Sequence, residues 1–382
     1  MRWLRLCFFI SCYIFLNPKV SAQKETNIWY FGQKAGLDFS NGNPVPITHS
    51  QMNTEEGCAV ISDSEGKLLF YTNGLYVWNR NHRQMPNGNK LMGHRSSTQS
   101  AIIVPKPGSS NFYYIFTTDL QSQAYGLRYS LVDMNRQNGL GDVMDKNIFK
   151  TSPIAEKITA VKHQNNRDFW VIAHKWNSDA FVAYLVSEKG VSIDPVTTNI
   201  GTTYRGKGSA AIGCMKASPD GRKIGVAVWR DFNRFEVFDF DNASGKLSNR
   251  ITIEPYPEAY GLEFSPDGSK LYGTTNGIAG VDPQLWQFNL NAGNKLAINN
   301  SAILIATSQS DKIGALQLAP DGKIYLARQD QNYLGVIHLP NAGGWSCRYV
   351  DQGLSLGERK CKLGLPNFVT SYFSHLHKAP AE

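Results

Sequence analysis

The sequence predicts an all-β fold: a seven-bladed β-propeller with four-stranded blades and a closing blade formed by the N-terminal strands plus a C-terminal strand. Three observations carry that expectation. The first is a repeated hairpin. Gly213 to Trp229 reads GCMKASPDGRKIGVAVW and returns as Leu262 to Gly273 (LEFSPDGSKLYG) and Leu316 to Ala327 (LQLAPDGKIYLA). In each turn Pro presets φ, Asp bonds its own backbone and Gly accepts positive φ, so two β-rich runs are driven into a hairpin. Looser copies stand at Val60 to Tyr71, Ala101 to Phe116 and Ala160 to His174. The second is spacing. Measured at Asp63, Gly108, Asn165, Asp220, Asp267 and Asp321, the steps are 45, 57, 55, 47 and 54 residues. A period near 50 with one hairpin per unit is the mark of a radial β-repeat. The third is the two ends. Asn27 to Gly32, Ala35 to Ser40 and Pro44 to Thr48 are strand-like but lack a hairpin of this type, while Leu363 to Phe373 (LGLPNFVTSYF) is a lone β-rich run after the sixth repeat. Joined, they give a seventh blade and remove the free edges that invite aggregation.

In chain order, residues 1–22 read as a secretory signal: Arg2 and Arg5, an apolar run from Leu6 to Leu16, and small residues at Val20-Ser21-Ala22. Lipidation at Cys12 is disfavoured by the apolar Tyr13 to Leu16 that would follow it. No other apolar stretch approaches the ~18 residues of a membrane span, so the mature chain is expected to have no transmembrane segment. It is expected to be exported, to the periplasm, the outer membrane or the exterior. Residues 23–373 form one propeller domain and 374–382 a short flexible tail.

Loss of the signal removes three positive charges and no acids, so the formal charge falls from +8 to +5. The cations are scattered apart from Arg205-Gly-Lys207 and Arg359-Lys360-Cys-Lys362, which reads as a solvated surface and excludes a nucleic-acid stripe. Four cysteines remain. Cys58 and Cys214, on inner strands of well-separated repeats, are expected to be buried free thiols. Cys347 and Cys361 flank one loop and in an exported chain are expected to form a disulfide, a closure contributing roughly 3 kcal/mol.

Within the fourth repeat the strands are Ala210–Ala217, Arg222–Arg230, Asn233–Phe240 and Lys246–Ile253. The Asp/Asn/Gly turn at 239–247 lacks the spacing of a calcium loop and reads as backbone capping. No segment has a sustained 3.6-residue apolar period, so little helix is expected. P-loop, GxGxxG, HExxH and CxxC motifs are absent from the sequence.

The phrases NIWYFGQKAGLDF, NTEEGCAVISDSEGKLLFYTNGLYVWNRN, MPNGNKLMGHRSSTQSAIIVPKPG, AEKITAV, YGLEFSPDG and LGLPNFVTSYF resemble the WD-like or YVTN-like propeller region of secreted proteins of gliding bacteria with type IX secretion. In that group the propeller usually precedes PKD-type domains and a C-terminal sorting domain, neither of which follows within this sequence. The resemblance implies a propeller in an adhesion, scaffold or surface setting, and brings no catalytic residues.

In a propeller the D–A and B–C loops share the face at the channel mouth. The candidate binding residues there are Glu55, Glu56, His94, Arg95, Glu156, Lys157, Arg205, Lys207, Glu258 and Asp311 from D–A loops, with His174, Trp176, Trp229 and Arg230 from B–C turns. Convergent polar groups at a concavity suit ligand binding; a solvated loop face with weak ion pairs is the bland reading. Lys216, Glu263 and Gln317 recur at one register of apolar inner strands and are expected to line a water-filled channel, Lys216 and Glu263 as a pair. His163 and His174 fall roughly 20 Å apart along their hairpin and cannot share a metal. Trp176 and Trp229, each beside a basic residue, are placed for sugar stacking or for inter-blade packing. The functional expectation is a monomeric, non-enzymatic binding or scaffold module for a protein or glycan, without metal or cofactor. The alternative is a hydrolase or lyase using the mouth carboxylates and His94, with a divalent metal.

Overall fold

A computed structural model describes residues 23–278, 280–309 and 311–377. The expected signal segment lies outside the described residues. Seven antiparallel sheets follow one another along the chain. The N-terminal sheet comprises Ile28–Phe31, Ala35–Asp38 and Val45–Pro46, and the first blade Ala59–Ser62, Leu68–Thr72 and Val77–Asn79. In the first blade the fourth position is an irregular stretch, with Met85 N–H donating to Val77 and Val77 N–H to Gly88.

The second blade holds Ala101–Pro105, Phe112–Thr118 and Leu127–Asp133, its outer position split between Asp142–Val143 and Ile148–Thr151. The third holds Ile154–Lys162, Phe169–Lys175 and Ala180–Ser187, with Gly190–Val191 and Val196–Asn199 outermost. The fourth to sixth blades have four strands each and open with Met215–Ala217, Ala259–Phe264 and Ile313–Leu318. The Pro-Asp-Gly turns form as their residues dictate: Gly221, Gly268 and Gly322 have φ of 69°, 70° and 77°, and Asp220 Oδ1 takes Arg222 N–H at 3.1 Å. Their apolar strands bury large side chains between blades, in clusters that run around the ring.

The ring closes as expected in number but differently in detail. Leu363–Phe373 takes the innermost place of the N-terminal sheet without forming a regular strand. Its N–H groups are already used by flanking blades: Leu363 donates to Glu55 O (3.0 Å) and Asn367 to Cys58 O (2.8 Å), while Leu363 O accepts from Ala315 (2.8 Å). Pro366, which has no N–H, sits opposite Cys58 in a parallel bridge. The N-terminal sheet meets the incoming chain through the Gln33–Lys360 bridge and through Phe368, whose ring centroid lies 5.9 Å from that of Trp29. Two glycines make the insertion feasible. A Cβ on Gly364 would fall 1.9 Å from Glu56 O, and one on Gly314 2.2 Å from Leu363 O. The segment ends in a 3-10 turn, Thr370–Phe373, and a helical turn, Ser374–His377. The early tail is therefore helical.

The four cysteines among the described residues are buried and free, which bears out the reading of Cys58 and Cys214 and corrects the expected Cys347–Cys361 disulfide. Flanking a loop did not bring the thiols together. Cys347 sits beside Tyr272, whereas Cys361 lies against Gly32 of the N-terminal sheet and its thiol donates to Lys362 O at 3.1 Å.

Candidate functional site

Antiparallel blades place the A–B and C–D turns at one end of the ring and the B–C and D–A loops at the other. The mouth residues named from sequence separate there into an internal set and a rim set.

The internal set closes the axis. Glu156, in the inner strand of the third blade, is fully buried. Its carboxylate accepts from Thr98 N–H (2.7 Å), Thr98 Oγ1 (2.9 Å) and Gln121 N–H (2.7 Å). Part-buried Glu56 accepts from Ser96 Oγ (3.2 Å) and Tyr260 Oη (3.0 Å). Burial, and then the charge of Glu156, push the Glu56 carboxyl up to about 8, so it is largely protonated at neutral pH. Glu156 is raised too, chiefly by burial and against its own N–H bonds.

The neighbouring Lys157 is also fully buried. It donates to the carbonyls of Ile212 and Gly213 and lies 5.4 Å from the Tyr204 ring centroid. Burial draws its ammonium down to about 7. His174 stacks on the same Tyr204 ring at 3.9 Å and hydrogen-bonds Lys175 O through Nδ1 at 2.8 Å. A carbonyl only accepts, so Nδ1 carries the proton. Burial draws this imidazole down to about 3, and it is neutral. Trp176 is core.

Lys216, Glu263 and Gln317 converge as their shared register implied. Lys216 Nζ lies 3.5 Å from Glu263 Oε2 and bonds Gln317 Oε1, and Glu263 also accepts from Phe264 N–H (3.0 Å) and Leu318 N–H (3.1 Å). The expectation of a water-lined channel is corrected: all three are at most 5% exposed. Two amides complete the plug. Gln99 acts as a substitute peptide, donating to Met215 O (2.9 Å) and accepting from Met215 N–H (2.7 Å) and Ile158 N–H (3.2 Å). Asn367, from the closing segment, donates to Ile158 O at 3.0 Å. Sequence reading missed both, because neither sits in a motif and their partners are distant in the chain.

Ser96 gives its hydroxyl to Glu56, and His94 uses Nδ1 to accept the Ser96 backbone N–H at 3.1 Å. Among the described residues no three His, Cys, Asp or Glu side chains converge as a metal-holding group.

The rim set is solvent-facing apart from the buried Glu258. Arg95, Arg205 and Lys207 are exposed; Glu55 pairs with Lys362 at 3.2 Å. Arg230, Glu258 and Asp311 come together in a cleft of about 460 Å³ between the fourth, fifth and sixth blades. There Arg230 Nε meets the buried Glu258 carboxylate at 2.8 Å, and its guanidinium lies 4.2 Å from the Trp229 ring centroid. Asn276, Asp282, Gln309 and Lys312 complete the polar walls. Glu258 has φ of 56°, a left-handed conformation that non-glycine residues rarely adopt. Its N–H is held by Asn233 Oδ1 at 2.8 Å, and its carbonyl accepts from Asn276 N–H at 3.0 Å. Asn276, Asp282 and Gln309 carried no sequence signal, since loop residues have no register to betray them.

No family model matches the chain, and neither does any curated protein. Solved structures match it only distantly. The chain is similar to the Dos1 propeller (11% identity over 83% of this chain and 81% of that one, TM-score 0.47). It is similar to Sqt1 from Chaetomium thermophilum (12%, 89% and 77%, 0.44) and to a putative 6-phosphogluconolactonase from Bacteroides fragilis (11%, 83% and 98%, 0.43). At such identities nothing about activity transfers, and the propeller assignment rests on the sheets described above.

Proposed function

We propose that the chain is an exported, non-enzymatic propeller that binds a protein or glycan partner through its B–C and D–A loop face. The observation that carries this reading is the division of the mouth residues. Glu56, Glu156, Lys157 and His174 are engaged in internal hydrogen bonds and packing, whereas the rim holds a concave polar cleft with unengaged charges. Neither Asp282 nor Lys312 has an ion-pair partner among the described residues.

The first and last described segments lie away from that face. Glu25 O accepts from Ser62 N–H at the A–B end. Gln23, with its amide oriented to donate, reaches Ser371 O and Tyr372 O at 3.0 and 3.1 Å. Ser371 and Ser374 line a small pocket with the A–B turn residues Asp220 and Gly221. Residues 23–25 and 371–374 thus lie together at the A–B end, opposite the loop face. No helix among the described residues is long and apolar enough to cross a membrane.

The test is capture of partners by the immobilised chain from cell-envelope protein and glycan fractions. Capture is expected to be lost on reversing two rim charges together (Arg230→Glu and Asp282→Arg) and retained in His94→Ala. Capture indifferent to the rim reversal would overturn the assignment.

A further inference from the structure

We infer that the cleft between the fourth, fifth and sixth blades takes a neutral, polyhydroxylated ligand, a glycan segment of one or two sugar rings. This rests on the loop-face binding reading above and names its ligand class. Three features of the cleft carry it.

The first is an unengaged polar group built into the wall. Asn276 is 5% exposed. Its Nδ2 is fixed by Ile313 O at 2.7 Å, while Oδ1 accepts from no protein group among the described residues and lines the cleft. Arg230 likewise spends Nε on Glu258 and rests its face on Trp229, which leaves its terminal N–H groups free to donate. A rigid acceptor beside a rigid fork of donors is a hydrogen-bonding template, already ordered before a ligand arrives.

The second is charge balance. Glu258, Asp282 and Asp311 face Arg230 and Lys312 across the same space. An anion reaching the cations meets three carboxylates, and a cation reaching the carboxylates meets a guanidinium and an ammonium. A neutral ligand avoids both conflicts, and hydroxyl groups, each donating one bond and accepting others, satisfy carboxylates and cations alike.

The third is size and texture. About 460 Å³ lies within the range of ~300–1,000 Å³ typical of small-ligand clefts. Ile278 and Val281, 46% and 42% exposed, form a narrow apolar strip on one wall. A pyranose, with C–H groups on its faces and hydroxyls around its edge, matches an apolar strip beside polar walls.

The experiment probes the full mature chain with an array of neutral oligosaccharides alongside sialylated and sulfated ones, followed by calorimetric titration of the best neutral binder. Asp282→Ala and Lys312→Ala, both exposed, are expected to leave the melting temperature unchanged and to weaken binding tenfold or more each. A silent neutral array, binding confined to anionic glycans, or binding that survives both substitutions would overturn the inference. If the array is silent while protein capture still depends on Arg230 and Asp282, the glycan class is wrong and the binding-module reading stands. If neither readout depends on the cleft, both fall.

Discussion

A chain ending at Lys362 is expected not to fold cooperatively. Truncation there removes the segment that fills the innermost place of the N-terminal sheet and exposes the flanking inner strands at Cys58 and Ala315. It strips four buried apolar side chains, Leu365, Phe368, Val369 and Phe373, from the core. At ~1.5–3 kcal/mol each, these are worth roughly 6–12 kcal/mol, comparable to the ~5–15 kcal/mol that holds a whole domain together. Circular dichroism with thermal melting and size-exclusion chromatography will read the outcome. The expected result is a non-cooperative or aggregated product. A sharp melt within a few degrees of the full chain would mean that closure does not depend on this segment.

The second large effect is expected from Lys216→Met. Glu263 is 1% exposed and Lys216 is its one counter-charge. Removing one partner of a buried pair typically costs about 3–5 kcal/mol, because the other charge stays desolvated and alone. The sign of the pH dependence follows. Burial already raises the Glu263 carboxyl, with Lys216 opposing that shift, so the substitution raises it further. A carboxyl whose folded-state pKa exceeds its unfolded value binds its proton more tightly when folded, and stability then falls as pH rises between the two values. The deficit of Lys216→Met relative to the parent should therefore be largest near neutral pH and shrink as pH falls toward the ordinary carboxylate range. Chemical denaturation at pH 4.5 and pH 7.5 checks it; a deficit of equal size at both would show that lost packing, not the stranded carboxylate, is responsible.

These two effects also mark how far the sequence could be read. Hairpins were legible because their cause is local: Pro, Asp and Gly within four residues set each turn. The register of the third blade was legible in part, since pairs such as Ile158 with Ala173 and Lys162 with Phe169 follow once the Asn165-Asn166 turn is placed, but it shifts between Ile154 and Ile158. The convergence of Lys216, Glu263 and Gln317 was visible in their common position on inner strands. Their burial was not, because what seals the axis comes from elsewhere: Gln99 bonds Met215 across 116 residues, and Asn367 bonds Ile158 across 209. The same cause misplaced Glu156, Lys157 and His174 at the mouth. Their position in the repeat was right, but Glu156 and Lys157 turn inward where neighbouring blades supply N–H donors and carbonyl acceptors, and His174, near the end of the second strand, packs on Tyr204. Cys347 and Cys361 failed for a related reason, as the chain between them carries Cys361 on to the N-terminal sheet. Arg230, Glu258 and Asp311 are legible in the sequence as rim residues, and Asn276, whose buried amide lines the cleft, is not. Trp345 is 78% exposed, its Nε1 donating to Leu304 O on the outer strand of the fifth blade.

The central claim is that the axis is a packed polar core, which leaves recognition to the rim. Amide hydrogen exchange at Thr98, Ile158, Met215 and Leu318 tests it most directly, because each of these N–H groups is bonded to a buried side-chain oxygen of Glu156, Gln99 or Glu263. The account predicts that all four exchange only through global unfolding, with protection equal to that of the central strands. Exchange within minutes under native conditions, through local opening to water, would show an open channel and return the internal carboxylates to the list of functional groups.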